Sequence, residues 1–321
     1  MNQVAADAFQ SLHLPELIPA LVTPCSAPGV PDAASLRRLC RHLYGEGVTG
    51  LFVLGSSGEL PLLGEGDRLR LIEAVREASP AEGRLYAGVS GTGTAQAVGY
   101  ARDAAQAGAD VAVFMAPFFL KLDQRQLVDY VTAIADESPI PVAIYHHLRM
   151  PSCFEETTVA RLARHPRVVA FKETSGDPER LRKIALATRG EAFRLFQGSE
   201  SLVLATLRHG GHGCVTALAN LCPGLHADLL AAHGSGDTAR ADFLQERLTE
   251  LWKIFRLPDV GRSFGHFLQT LKLPLVEAGL LSSAATMIPG FCADAEFQRE
   301  VLAFYRQWLQ GGGVSRPVGP G

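Results

Sequence analysis

The sequence predicts an α/β fold, a (β/α)₈ TIM barrel with a C-terminal α-helical extension. Short apolar runs alternate with segments of helical periodicity, which is typical of repeated βα units around a parallel sheet. Eight such units fit within about 230 residues, as a barrel requires. The 321 residues, 47% of them hydrophobic, are enough to bury the core of such a domain. A doubly wound open sheet is the competing interpretation, because periodicity alone does not show that the sheet closes.

Each strand is predicted from a short apolar run, and each helix from the apolar periodicity of the segment that follows it. The predicted strands are 17–22, 50–54, 85–89, 110–115, 141–145, 168–172, 194–197 and 213–216. The predicted helices between them are 33–46, 67–78, 95–107, 124–137, 155–164, 178–188 and 201–209. After residue 233 all predicted elements are helical, at 237–255, 263–271, 275–280 and 295–309, with breaks at Pro258, Pro274 and Pro289.

The predicted domain organisation follows from these elements. An N-terminal extension, residues 1–16, precedes the barrel, residues 17–233, which is followed by the helical region, residues 234–310. Residues 311–321 are mostly glycine and proline with little to bury, so they are predicted to form a flexible tail.

The composition argues against several classes of protein. The net charge is −3, with both signs mixed along the chain, so no surface for nucleic acid or for an anionic membrane is expected. Residues 1–16 lack the pattern of a signal peptide and no later stretch is long and apolar enough to span a membrane, so we expect a cytoplasmic protein. The six cysteines are scattered, which indicates reduced thiols. No metal is expected, since His209, His212 and Cys214 do not have the spacing of zinc ligands.

Lys172 is the residue whose position most strongly suggests chemistry, because it ends the apolar run that begins at Val168. A lysine at the end of a buried strand is costly to keep charged, since desolvation disfavours the ammonium ion. A neutral lysine amine is a nucleophile that forms a Schiff base with a carbonyl substrate, and the iminium withdraws electrons from the neighbouring carbon. The alternative is a strand-ending lysine that extends its charged head to water.

Other polar residues also fall where predicted strands end, and βα loops at these ends carry the chemistry of barrel enzymes. The small-residue loop Gly55–Gly58 contains Ser56 and Ser57, and its N–H groups and hydroxyls can hold a carboxylate. A plain turn with a helix cap is the alternative interpretation of this loop. Tyr145 offers a phenol that can exchange protons with a bound carbonyl compound, the alternative being a core tyrosine with a satisfied hydroxyl.

The two-residue period of a strand predicts which neighbours share a face with Tyr145 and Lys172. His147 shares the face of Tyr145 and is therefore expected to contact substrate. Thr174 likewise shares the face of Lys172. The side chains predicted to point the other way, toward the helices, are Ile144, His146 and Glu173.

Four pieces of sequence follow one another in an order and spacing that is specific. They are Pro19-Ala20-Leu21-Val22-Thr23-Pro24, then Gly55-Ser56-Ser57-Gly58-Glu59, then Tyr145, then Phe171-Lys172-Glu173-Thr174-Ser175-Gly176-Asp177. On these motifs, from Leu17 to about Gly290, the chain resembles the dihydrodipicolinate synthase and N-acetylneuraminate lyase superfamily, the pyruvate-dependent class I aldolases and lyases. The second motif stands where the family usually has Gly-Thr-Thr-Gly-Glu.

The resemblance implies roles for individual residues. Lys172 would form the Schiff base with a 2-oxo acid such as pyruvate, Tyr145 would transfer protons, and Ser56 and Ser57 would hold the carboxylate. It also implies a (β/α)₈ barrel with C-terminal helices, usually a homotetramer, with a dimer as the smaller possibility, and no metal or organic cofactor.

Two positions depart from the members of the family that make dihydrodipicolinate. Phe119 stands where those carry a tyrosine that is contributed across a subunit interface to a proton relay, and phenylalanine cannot relay a proton. Arg149 lies one position short of the arginine that binds the carboxylate of their aldehyde substrate. The stretch Gly198-Ser199-Glu200 resembles the one that meets substrate hydroxyls in the sugar-acid members.

These features predict a Schiff-base-forming lyase or aldolase that joins pyruvate and an aldehyde or cleaves their carbon–carbon bond, with a 2-keto-3-deoxy sugar acid or a related hydroxy-2-oxo acid as substrate. The alternatives are a 4-hydroxy-tetrahydrodipicolinate synthase-type condensation, a 3-deoxy-2-oxo acid dehydratase, and a non-catalytic sensor or scaffold that binds a 2-oxo acid. The predicted catalytic residues are Lys172 and Tyr145. The predicted substrate-binding residues are Gly55, Ser56, Ser57, Phe119, His147, Arg149, Thr174, Gly198, Glu200 and Val215.

Overall fold

The computed structural model describes residues 16–311. The strands in this range are β1 (Cys25–Ala27), β2 (Val30–Pro31), β3 (Gly50–Val53), β4 (Arg84–Gly88), β5 (Val111–Phe114), β6 (Val142–His146), β7 (Val168–Glu173), β8 (Arg194–Gln197) and β9 (Gly213–Cys214). The α-helices are α1 (Ala33–Gly45), α2 (Glu65–Ala78), α3 (Thr94–Gln106), α4 (Gln124–Glu137), α5 (Glu156–Leu162), α6 (Pro178–Ala187), α7 (Val203–Arg208), α8 (Pro223–Gly234), α9 (Thr238–Trp252), α10 (Phe264–Glu277) and α11 (Ala295–Gln310).

The predicted N-terminal extension and flexible tail lie, apart from Glu16 and Gly311, outside the described residues. The described residues form two compact units, and the boundaries of these units differ from the predicted domains, which stay a prediction.

The first unit contains residues 84–215 together with Glu16. Within it, strands β4 to β9 are parallel, and each pairs with the next along the chain. Helices α3 to α7 make the connections between these strands. Strands such as β5 and β7 are buried along their whole length, which is why they appear in the sequence as continuous apolar runs.

The register of β6, β7 and β8 places the two predicted catalytic residues next to each other. Tyr145 pairs with Lys172, and His146 pairs with Glu173 one position further on. Lys172 pairs in turn with Phe196 of β8. Because β7 lies between two parallel strands, hydrogen bonds on both sides fix the backbone of Lys172.

The chain passes from β7 into α6 through a short capped turn. Asp177 precedes the first residue of the helix, and its carboxylate accepts hydrogen bonds from the N–H groups of Glu179 (2.9 Å) and Arg180 (3.2 Å). Pro178 occupies the first turn of the helix, where its missing N–H costs nothing. Gly176, with φ +77°, takes the left-handed conformation that the turn requires.

The second unit contains residues 17–83 and 216–311. Residues 19–21 lie between β3 and Thr216 and are joined to both by main-chain hydrogen bonds of 2.9 to 3.0 Å. The predicted strand 17–22 is here reduced to isolated bridge residues at Leu17 and Ala20, and Ala20 pairs in parallel with Phe52. Pro19 within this segment lacks an N–H and so shortens the ladder that the segment can form.

Helix α8 lies where no helix is predicted, between residues 216 and 237. Its buried residues, which include Leu225, His226, Leu229 and Leu230, lie on one side of the helix. The opposite side carries the small apolar residues Ala227 and Ala231, so the sequence shows no clear apolar periodicity and the helix is absent from the prediction.

Helix α10 runs without interruption from Phe264 to Glu277, so the predicted break at Pro274 is wrong. A proline inside a helix costs about 3 kcal/mol. Burial of each leucine side chain on the helix returns roughly 1.5 to 3 kcal/mol, and Leu268, Leu271 and Leu275 are fully buried. Pro274 also lies in the last turn, so it disturbs the end of the helix and not its middle.

Within residues 16–311, no helix combines the length and the apolar character that crossing a membrane would require. In that same part of the chain, no three His, Cys, Asp or Glu side chains are grouped so that they could hold a metal ion.

Candidate active site

Lys172 and Tyr145 are neighbours in the first unit. Their strands β6 and β7 place them at paired positions, and Lys172 Nζ lies 4.0 Å from the centroid of the Tyr145 ring. Both side chains are buried, with 7% of Lys172 and 3% of Tyr145 exposed. The two residues predicted to be catalytic are therefore close enough to act on one ligand.

The side chains on the opposite face of β6 and β7 point away from this pair, as the strand period predicts. The His146 ring stacks on Phe171, with centroids 6.2 Å apart. Glu173 accepts hydrogen bonds from Arg180 Nε (2.9 Å) and from the N–H of Ser175 (2.6 Å). The carboxylate next to Lys172 in sequence is thus turned toward helix α6, and the prediction that it faces away from the amine is confirmed.

His147 lies on the same face as Tyr145, with ring centroids 6.0 Å apart and the rings nearly perpendicular. Its Nδ1 accepts the N–H of Arg149 at 3.0 Å, which leaves the proton of a neutral imidazole on Nε2. Burial, together with the positive charges of Arg149 and Lys172, lowers the pKa of His147 to about 4. The side chain is therefore a neutral hydrogen-bond donor at neutral pH.

Gly198 leaves space beside Lys172 that no other residue would leave. A Cβ atom at this position would lie 2.1 Å from Thr174 Oγ1 and 2.9 Å from Lys172 Cε. The N–H of Gly198 donates to the carbonyl of Glu173 at 2.8 Å, so the close approach is fixed by the sheet. Thr174 Oγ1 is buried and has no hydrogen-bond partner among the residues of the described chain.

Four other predicted substrate-binding residues of the first unit differ in exposure. Glu200 begins a single helical turn after β8 and is 4% exposed, and Val215 follows β9 and is 5% exposed. Phe119 lies in the loop after β5 and is 86% exposed, while Arg149 is exposed in the loop after β6. Their roles in binding substrate stay predictions.

The predicted carboxylate-binding loop follows β3 in the second unit. Ser57 is 5% exposed, and Ser56 is partly exposed. Thr23 Oγ1 donates to the carbonyl of Gly58 at 2.6 Å and fixes the loop to residues before β1. Gly55 approaches Phe52 so closely that a Cβ there would lie 2.8 Å from the Phe52 ring. The role of Ser56 and Ser57 in binding a carboxylate stays a prediction.

One buried ion pair in the second unit is not predicted from the sequence. Lys272 on α10 donates to Glu59, the residue after the loop Gly55–Gly58, at 2.6 Å. The signal that could reveal it is a lysine placed between Leu271 and Leu273 in an otherwise apolar part of a helix, since a charge there needs a buried partner.

Comparison with known proteins shows consistent similarity along the chain. A model of the dihydrodipicolinate synthetase family matches residues 13–301. The 4-hydroxy-tetrahydrodipicolinate synthase of Haloarcula marismortui is 31% identical over 263 residues, which is 82% of each chain. The protein of the same name from Synechococcus sp. strain WH7803 is 36% identical over 239 residues, 74% of this chain and 79% of the relative.

Comparison with solved structures shows similarity to the same family. YagE, a prophage protein of the dihydrodipicolinic acid synthase family from E. coli K12 solved in complex with pyruvate, is 25% identical with a TM-score of 0.86, covering 93% of this chain and 99% of YagE. The dihydrodipicolinate synthase of Aquifex aeolicus is 24% identical with a TM-score of 0.84, covering 92% of this chain and 98% of that enzyme. The likeness confirms the predicted fold class, a (β/α)₈ barrel with C-terminal helices.

Proposed function

Because the chain belongs to the dihydrodipicolinate synthetase family, we propose that it is a class I lyase or aldolase in which Lys172 forms a Schiff base with pyruvate or with a pyruvate-bearing substrate. The reaction forms or cleaves a carbon–carbon bond between pyruvate and an aldehyde. The observation that supports this most directly is the 4.0 Å separation between Lys172 Nζ and the Tyr145 ring centroid. The pyruvate in the solved E. coli relative supports a 2-oxo acid as ligand.

In the proposed mechanism, the neutral amine of Lys172 attacks the keto carbon of the 2-oxo acid. Tyr145 donates its phenolic proton to the hydroxyl of the carbinolamine, which leaves as water and gives an iminium that draws electrons from the adjacent carbon. Tyr145 is then a phenolate. In the cleavage direction, Tyr145 accepts the proton of the hydroxyl on the departing carbon, the carbon–carbon bond breaks, and its electron pair moves into an enamine. The aldehyde leaves, Tyr145 returns a proton to the enamine carbon, and water releases pyruvate.

The carboxylate of the 2-oxo acid is assigned to the loop Gly55–Gly58, where hydroxyls of Ser56 and Ser57 and the N–H groups of the loop serve as donors. Thr174 is assigned a contact with the same ligand, because its buried hydroxyl oxygen lacks a partner within the described residues. The absence of a side chain at Gly198 leaves room for a ligand atom next to Lys172.

The other end of the substrate is proposed to carry hydroxyl groups. The neutral imidazole of His147 donates through Nε2, and the carboxylate of Glu200 accepts from a hydroxyl. Val215 contributes an apolar contact, and Phe119 has no proton to relay. These properties favour a 2-keto-3-deoxy sugar acid or a related hydroxy-2-oxo acid.

A 4-hydroxy-tetrahydrodipicolinate synthase-type condensation is the second candidate, favoured by the names of the relatives from Haloarcula marismortui and Synechococcus. It needs an aldehyde that bears a carboxylate. Arg149 would bind that carboxylate, since its guanidinium is close enough to lower the pKa of His147. Activity with carboxylate-bearing aldehydes that Arg149→Ala removes would favour this candidate.

A homotetramer or a dimer is proposed as well. Phe119 is 86% exposed, Leu120 59% and Leu148 64%, and association with a second copy would cover apolar side chains of this kind. Light scattering coupled to size exclusion measures the mass of the particle in solution, and a monomer at micromolar concentration would contradict this part of the proposal.

The experiment that tests the proposed function measures pyruvate release. Purified protein is supplied with 2-keto-3-deoxy sugar acids, and pyruvate is followed by its NADH-dependent reduction. We expect wild type to release pyruvate and Lys172→Ala to release none. Loss of water without release of pyruvate would indicate a dehydratase, and binding without turnover would indicate a sensor or scaffold.

A further inference from the structure

We propose that Glu59 and Lys272 are positioning residues, which hold the loop Gly55–Gly58 in the conformation that binds the carboxylate of a 2-oxo acid. This role rests on the proposed function, in which Ser56 and Ser57 are the donors to that carboxylate. Glu59 and Lys272 take no part in the proposed chemistry of the Schiff base, and their effect is on the geometry of the loop.

The two side chains form a completely buried ion pair, with 0% side-chain exposure on both sides. Lys272 Nζ donates to Glu59 Oε1 at 2.6 Å and to the carbonyl of Ala285 at 2.7 Å. The second carboxylate oxygen of Glu59 accepts the N–H of Met287 at 2.7 Å. Glu59, the residue after the loop, thus contacts both helix α10 and the segment that follows α10.

Glu59 and Lys272 are the charged groups of the buried cluster that they form with Cys25, and each charge is compensated by the other. Burial raises the pKa of the Cys25 thiol to about 11, so the sulfur 3.8 Å from Lys272 Nζ is uncharged at neutral pH. Burial also raises the pKa of Glu59, while the charge and the hydrogen bond of Lys272 oppose that rise. Removing one member therefore leaves the other as a buried charge without compensation.

The two residues that flank the loop have backbone conformations that most residues avoid. Leu54 has φ +61° and Glu59 has φ +58°, and among the described residues only one other non-glycine residue has a positive φ. Gly58 has little room for a side chain, since a Cβ there would lie 3.0 Å from the nitrogen of Gly55. Such backbone persists where surrounding contacts over-determine it, and it is concentrated at ligand-binding sites.

The ion pair supplies these contacts at the end of the loop. The N–H of Glu59 donates to the carbonyl of Ser56 at 3.0 Å, so the loop closes on the same residue whose carboxylate is anchored. Two apolar side chains would fill the same volume, but they would not direct the loop through hydrogen bonds of fixed geometry. The orientation of the Ser56 and Ser57 donors therefore depends on Glu59 and Lys272.

The test uses the full-length protein and pyruvate as the probe. Glu59→Gln keeps the size of the side chain and its acceptor for Met287, while Glu59→Gln combined with Lys272→Met removes both charges and leaves none unpaired. Two quantities are measured for each variant: the pyruvate concentration that gives half-maximal borohydride trapping on Lys172, and the trapping rate at saturation.

The matched control is Leu248→Ala in α9, a fully buried residue of the same unit that belongs to neither the loop nor the ion pair. Its cavity lowers the thermal unfolding midpoint without removing a charge. A general loss of stability would raise the pyruvate concentration for half-maximal trapping in the control and in the loop variants alike. A positioning role raises this concentration in the loop variants alone.

We expect both loop variants to need roughly tenfold more pyruvate for half-maximal trapping, with the rate at saturation changed by less than about threefold. Leu248→Ala should keep the wild-type pyruvate requirement. An unchanged requirement in Glu59→Gln, or an equal rise in Leu248→Ala, would overturn the positioning role even if the double variant does not fold. Absence of trapping in wild type would instead contradict the proposed function.

Discussion

Two buried lysines, Lys172 in the first unit and Lys272 in the second, differ in what lies against the amine. Lys272 is 0% exposed and donates to the carboxylate of Glu59 at 2.6 Å. Lys172 is 7% exposed, and its Nζ lies 4.0 Å from the centroid of the Tyr145 ring. The nearest carboxylate in sequence, Glu173, is turned away and paired with an arginine.

Under the proposed function, lysine serves two different purposes in this protein. The carboxylate in direct contact with Lys272 makes that lysine part of a structural ion pair. A phenol beside Lys172 is instead a group that can give and take protons, as the formation and breakdown of a Schiff base require. Four substitutions separate the two purposes.

The largest expected effect is that of Lys172→Ala. It should lower kcat/KM for the 2-oxo acid by roughly 10³-fold or more, because the Schiff base cannot form. The measurement is steady-state pyruvate release, with circular dichroism to show that the variant is folded. A folded Lys172→Ala that retains more than a tenth of wild-type turnover would contradict the assignment of the nucleophile.

Tyr145→Phe should lower kcat by about 10²-fold, since general acid–base catalysis typically contributes 10² to 10⁴. The lysine is intact in this variant, so borohydride should still trap an adduct, but more slowly. Single-turnover trapping measures the formation of the Schiff base separately from the later steps of turnover. A wild-type kcat in Tyr145→Phe would show that protons travel by another group.

Lys272→Met should act on stability. We expect the free energy of unfolding to fall by about 3 to 5 kcal/mol, because the carboxylate of Glu59 is left buried without its partner. Urea denaturation measures this, and the addition of Glu59→Gln should recover part of the loss. If Lys172→Ala lowers the free energy of unfolding as much as Lys272→Met, the contrast between the two lysines is wrong.

His147→Asn is expected to have the smallest effect, lowering kcat/KM by roughly tenfold through loss of one hydrogen-bond donor. Because the pKa of His147 is about 4, the imidazole stays neutral in the folded protein where an ordinary histidine of pKa 6.5 titrates. The ratio of wild-type to variant kcat/KM should therefore be constant between about pH 6 and 8. An inflection near pH 6.5 that the substitution removes would contradict this.

The lowered pKa of His147 also makes the free energy of unfolding depend on pH. The unfolded chain binds a proton at His147 below about pH 6.5, whereas the folded chain binds it only near pH 4. The unfolded state therefore holds more protons between these values, and the free energy of unfolding falls as the pH drops from 6.5 to 4. His147→Asn should make this fall shallower in urea denaturation at a series of pH values.

The arrangement of strands could be predicted from the sequence because buried parallel strands are continuous apolar runs. Val168–Glu173 and Arg194–Gln197 are found within one residue of their predicted bounds. The segment at Ala20 and helix α8 were not predicted correctly. Proline removes a ladder donor from the segment, and alanines on the outer side of α8, at Ala227 and Ala231, remove the apolar periodicity of that helix.

The neighbourhood of Lys172 could be predicted as well, since the two-residue period of β6 and β7 decides which side chains share a face. The contact between Glu59 and Lys272 could not, because it joins residues 213 positions apart. The conformation of His147 also depends on a hydrogen bond from the exposed loop after β6, for which the sequence holds no periodic signal.

Peptide mapping after treatment with pyruvate and borohydride tests the contrast between the two lysines most directly. Reduction makes the Schiff base permanent, so the mass of each lysine-containing peptide shows which amine has reacted. The proposed function predicts a modified peptide that contains Lys172 and an unmodified peptide that contains Lys272. Modification at Lys272 or at another lysine with Lys172 intact, or no modification at saturating pyruvate, would contradict it.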